Sequence, residues 1–168
     1  MKGVVMKFLQ TSALALAAVF AMGNLASAET VTFTGIAYGT TLTSEQTVLP
    51  DGNTLVISTN HSIWVQDGLP EGFPSNVSAN CQNSGLRSPE FANLGTTWTC
   101  TATDIDGDGF INTGGDANPD WSGCFFKTVA GWGKYAGVTV SGKCAFGGNI
   151  SADGTDWSLT WTGEITTP

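Results

Sequence analysis

The chain has 168 residues, with 14 acidic and six basic side chains, one histidine and four cysteines, and a formal charge of −8. So acidic a protein is a poor partner for nucleic acid or an anionic membrane surface, because both are bound by neutralising phosphate with Lys and Arg. Cations are its natural counterparts.

The first 28 residues read as a secretory signal peptide. Lys2 and Lys7 precede an apolar run from Phe8 to Met22, and Ala26-Ser27-Ala28 closes it with the small-x-small pattern of a cleavage site. The run is shorter than the ~20 residues of a membrane span, so none is expected. The chain is expected to be secreted or periplasmic and cleaved after Ala28. Residues 29–168 are the size of one domain with one core. Losing Lys2 and Lys7 takes the formal charge from −8 to −10. All four cysteines remain, and an even number in an exported chain predicts two disulfides among Cys81, Cys100, Cys124 and Cys144. Spacing leaves all three pairings open.

From Thr30 onward no segment carries helical periodicity. Alternation with period two recurs instead, the mark of half-buried antiparallel strands. Val31 and Phe33 alternate with threonines. Further strands are predicted at 54–58, 62–66, 97–103, 124–129, 137–142, 145–150 and 157–162. Pro50-Asp51-Gly52-Asn53, Asp67-Gly68, Gly114-Gly115-Asp116 and Ala152-Asp153-Gly154 supply turns. Residues 68–95, with three prolines, read as an irregular excursion. About eight short strands predict an all-β domain, a single antiparallel barrel, with a sandwich as the alternative.

The most specific local pattern runs from Asp104 to Asn112. Asp104, Asp106 and Asp108 alternate, and Phe110 and Asn112 stand where a calcium loop uses a carbonyl and a water-mediated ligand. Position twelve is Gly115 rather than an acid, so Asp116 or Asp120 would have to close the shell. Calcium is the one cofactor expected. The competing reading is a charged turn between two strands.

Six tryptophans are heavy usage for such a domain. Trp98, Trp157 and Trp161 fall on the inward phase of their strands. With Trp64 they are candidates for the wall of a ligand cavity, the alternative being core packing. Trp121 and Trp132 read as loop-borne. Catalytic signals are weak: His61 is the only histidine, no nucleophile elbow or phosphate loop exists, and His61 and Tyr135 are the only acid–base candidates named beside a buried carboxylate.

The segment Gly131-Trp132-Gly133-Lys134-Tyr135-Ala136-Gly137 and on to Gly142 resembles the Gly-Lys-Tyr-Ala-Gly stretch of small barrels of the allene-oxide-cyclase and dirigent-like (calycin-like) type. The run from Cys100 to Asp108 is similar to the hairpin before that stretch in secreted bacterial relatives. Together these cover less than a third of the domain. Trp132 and Val140 depart from the pattern, which has Thr and Gly there. The resemblance implies an eight-stranded antiparallel barrel and carries no catalytic residue onto this sequence.

The leading expectation is therefore an exported β-barrel, not an enzyme, that binds a small apolar or aromatic ligand in a Trp-lined interior. A cyclase or isomerase using the same cavity is the alternative, and a structural or surface-interaction protein with a filled core is the second. Oligomeric state is left open.

Overall fold

The computed structural model describes residues 28–118 and 120–168. The segment read as a signal peptide, but for Ala28, lies outside them. Eight strands follow in chain order: β1 Glu29–Val48, β2 Thr54–Asp67, β3 Asn76–Arg87, β4 Asn93–Thr103, β5 Gly109–Asp116, β6 Phe125–Trp132, β7 Thr139–Asn149 and β8 Asp156–Thr167. Each pairs antiparallel with the next, and β1 also pairs with β8 from Glu29↔Thr167 to Thr40↔Asp156. That last pairing closes the barrel. It rules out the sandwich, which would leave sheet edges open.

The count of eight agrees with the sequence, though its members differ. The segments predicted at 54–58 and 62–66 are one strand, β2, because Thr59, Asn60 and His61 continue the ladder to β3. Likewise 137–142 and 145–150 are mostly the single strand β7, with a bulge between Phe146 and Gly148. Two strands replace them. β3 runs through the segment read as irregular, and β5 through Gly114-Gly115-Asp116, read as a turn. Beyond Val77 in β3 and Phe110 in β5, both present small or polar residues inward, so neither carries the sustained apolar alternation of an ordinary strand.

Register places the inward residues in rows around the wall. Ser62, Ala79, Ala102 and Phe110 form one row, and Asn60, Cys81, Cys100 and Asn112 the next. Ser58, Asn83, Trp98 and Gly114 follow. The disulfides are Cys81–Cys100 and Cys124–Cys144. The first links facing residues of β3 and β4, with Cα atoms 4.0 Å apart. The second ties the loop before β6 to β7, across the shortest ladder, which pairs only Phe125, Lys127 and the residue between with Ser141–Lys143.

One end of the barrel is filled. Phe33, Phe126, Val138 and Ile165 pack on one side of it and Val77, Ala79, Ala102, Phe110 and Tyr135 on the other, all buried. Leu69 and Phe73, from the β2–β3 connection, pack against these clusters, with Phe73 5.3 Å from the Tyr135 ring. The interior towards the opposite end is not filled.

Candidate functional site

The unfilled interior is a cavity of about 310 Å³. That lies at the lower end of the roughly 300–1,000 Å³ of small-molecule sites, room for a one- or two-ring molecule. Trp64, Trp98, Trp157 and Trp161 all line it. So does Trp121, which stacks on Phe146 at 5.5 Å where the β5–β6 connection meets β7. Trp121 holds a φ of 62°, a left-handed conformation rare for a bulky residue. Trp132 lies apart, on the outer wall, where its indole N–H donates to the Gly107 carbonyl at 3.0 Å.

The tryptophans clear the middle of the barrel by lying against its wall. Trp161 faces Gly35, Trp157 faces Gly39 and Trp98 faces Gly114 across their ladders. In each pair the indole occupies the space a Cβ on the glycine would need. Trp64 is braced instead by its own hydrogen bond, Nε1–H to Ser62 Oγ at 2.8 Å, and by edge contact with Trp161 at 5.7 Å.

Between the indoles the apolar lining carries a few polar side chains and is nearly uncharged. Asn60 and Asn112 flank the Cys81–Cys100 disulfide in one row, both at least nine-tenths buried. Their carboxamide oxygens have no partner among the described residues. Buried polar groups left unpaired cost about 1–3 kcal/mol each, so such groups are usually satisfied by something. Asn83, Ser58, Thr96 and Arg87 line the cavity nearer its open end.

The six residues of the calcium expectation divide. Asp104, Asp106 and Asp108 converge in the β4–β5 turn, at the filled end. Phe110 and Asn112 turn into the barrel, and Asp116, buried, sits at the far end of β5, its Oδ1 accepting the Asn118 amide at 2.7 Å. Among the described residues no three acidic, His or Cys side chains are grouped as a metal site requires. What the three turn carboxylates surround is an ammonium: Lys134 Nζ stands 3.0 Å from Asp104, 2.6 Å from Asp106 and 4.0 Å from Asp108. Hydrogen bonds to Asp106 and Asp104 hold that ammonium well above the usual lysine range. Burial pushes Asp104 up, but Lys134 and the amides of Asp106 and Asp108 outweigh it and hold the carboxyl below its ordinary value. Gly133 lets Lys134 approach: its φ of 61° is open to glycine, and a side chain there would strike the Asp108 carboxylate.

Of the acid–base candidates, His61 is on the outward phase of β2, its Nδ1 3.2 Å from Asn80 Oδ1. Tyr135 is buried at the filled end and borders the cavity. Burial first, then the neighbouring Asp104 charge, pushes its phenol well above the ordinary range, so it stays protonated at neutral pH. No carboxylate among the described residues lines the cavity.

Sequence reasoning passed over Asn60, Asn83, Arg87 and the mouth position of Trp121. One signal was available: Arg87 is the chain's only arginine. Compared with protein-family models, curated proteins and solved structures, the chain matches none. Two disulfides fit an extracellular or periplasmic protein. No helix among the described residues is long and apolar enough to cross a membrane.

Proposed function

We propose that the barrel is an exported binding protein for a small, largely aromatic or apolar ligand held among its inward tryptophans. The observation that carries this is the 310 Å³ cavity walled by Trp64, Trp98, Trp157 and Trp161 inside a closed barrel. A barrel interior of this strand number normally fills with side chains or holds one small ligand. Here glycines opposite three tryptophans keep the space open. The unpaired Asn60 and Asn112 carboxamides add a few polar groups to an apolar wall, the usual composition of a ligand site.

The likeness to allene-oxide-cyclase and dirigent-like barrels belongs to this proposal, as an eight-stranded antiparallel barrel with a usable interior. A cyclase or isomerase would have to rely on Tyr135, the one candidate acid that borders the cavity. Calcium enters the proposal in a narrow form: it would reach Asp104, Asp106 and Asp108 only by displacing Lys134.

Titration with a panel of one- and two-ring aromatics, read by tryptophan fluorescence, tests the binding reading. Saturable quenching that Trp98→Ala and Trp157→Ala weaken supports it. No response to any panel member, together with native mass spectra of the recovered protein that show no retained ligand, sinks it.

A further inference from the structure

Among the described residues, one charged side chain lines the cavity of this acidic protein, and it is positive. Fourteen acids stand in the chain against six bases, yet among the described residues no acid lines the cavity and Arg87 is the one base that does. The other described cations lie elsewhere. Lys134 is held by the β4–β5 turn, and Lys127 and Lys143 are exposed on the outer wall.

Arg87 ends β3 near the cavity's open end, half-buried, with its guanidinium 5.9 Å from the Trp121 ring centroid. Its Nη1 donates to Thr96 Oγ1 at 3.0 Å, to the Leu86 carbonyl at 3.3 Å and to Asn93 Oδ1. All three acceptors are neutral. Arg87 forms no ion pair among the described residues. Asp116, on the same inner row as Thr96, does not pair with it either. Burial accordingly draws the guanidinium below the ordinary arginine range. Only one corner of the planar fork is used; Nε and Nη2 have no acceptor among the described residues. A guanidinium fixed by neutral bonds and lacking a counter-charge is arranged for a planar anion, which it binds bidentately.

We propose that Arg87 receives the carboxylate of an amphipathic ligand whose aromatic or apolar body lies among the indoles below it. This deepens the binding reading above and rests on it. Trp121 and Phe146 would flank the headgroup side, Trp98 and Trp157 the body.

The test is isothermal titration of the cleaved, oxidised protein with 2-naphthylacetate and, separately, with its neutral carboxamide. A hydrogen bond to a charged group contributes about 1.5–3 kcal/mol, so the carboxylate should bind roughly ten- to a hundredfold more tightly than the amide. Arg87→Gln should abolish that preference while leaving the amide's affinity close to wild type; Arg87→Lys should keep part of it. A purely structural arginine would weaken both probes alike. Equal binding of the two probes to wild type overturns the anionic headgroup and leaves the cavity reading standing. Failure of both probes, with tryptophan fluorescence unchanged, counts against the cavity reading too. If Arg87→Gln does not fold, the wild-type comparison and Arg87→Lys still decide.

Discussion

The indole of Trp157 covers Gly39, its partner across the β1–β8 ladder, so closely that a Cβ at residue 39 would fall 2.2 Å from the ring. Gly35 stands in the same relation to Trp161 and Gly114 to Trp98, at 2.3 and 2.4 Å. Each indole thus takes up wall area that its partner's side chain would have filled, and the lumen stays free.

Gly39→Ala should force Trp157 off the wall. Overpacking of this kind costs about 1–3 kcal/mol, which urea unfolding would read. In the double variant with Trp157→Ala the loss should fall short of the sum of the two single losses, because the three atoms nearest that Cβ all belong to Trp157; additive losses would show that the contact is not the cause.

The two disulfides should behave differently when removed. Each closes a loop of about twenty residues, for which roughly 3 kcal/mol is expected. Cys81–Cys100 spans a ladder already well paired, so Cys81→Ser/Cys100→Ser should lower stability without a local signature. Cys124–Cys144 spans the three-residue seam between β6 and β7. Cys124→Ser/Cys144→Ser should speed amide exchange in β6 and β7 far more than in β2 and β3. Uniform exchange across the barrel would refute a weak seam.

Lys134→Gln leaves the turn carboxylates facing one another without a cation, and their repulsion should lower Tm. Calcium should then raise Tm more in the variant than in the wild type, by linkage to a site the ammonium no longer fills. An equal calcium response in both proteins would mean that the ammonium does not compete for the carboxylates.

The turn between β7 and β8 gives a pH prediction. The Ser151 hydroxyl first, then the amide and hydroxyl of Thr155, donate to Asp153 and lower its pKa to about 2. A depressed folded pKa stabilises above the unfolded value and loses that contribution as pH falls through the folded one. The turn should therefore hold from neutral pH down past 3.8 and loosen near 2. An NMR titration of the Asp153 carboxyl with its midpoint near 3.8 would contradict the hydrogen bonding.

Where each strand carried Trp, Phe or Ile on one face and Thr on the other, as in β4 and β8, the fold was legible in the sequence. It was not legible in β3, whose inward residues are Val77, Ala79, Cys81, Asn83 and Gly85, because a wall beside a cavity needs little bulk. The tryptophans named from alternation do line the interior. The turn's counter-charge was hidden because Lys134 lies 26 residues from Asp108, and only the ladder between β5 and β6 brings them together. Arg87 was hidden for a similar reason. That it pairs with no carboxylate among the described residues is a property of three dimensions, and a list of charges shows only that acids are plentiful.

The pairing of Glu29 with Thr167 also sets a condition on how the molecule forms. Contacts joining residues more than a hundred positions apart raise contact order, and chains rich in them fold slowly. Until β8 is available, β1 and β7 both present bare edges able to recruit other strands. A chain that cannot complete its barrel early keeps those edges bare for longer, and it needs protection from its neighbours until the last strand arrives.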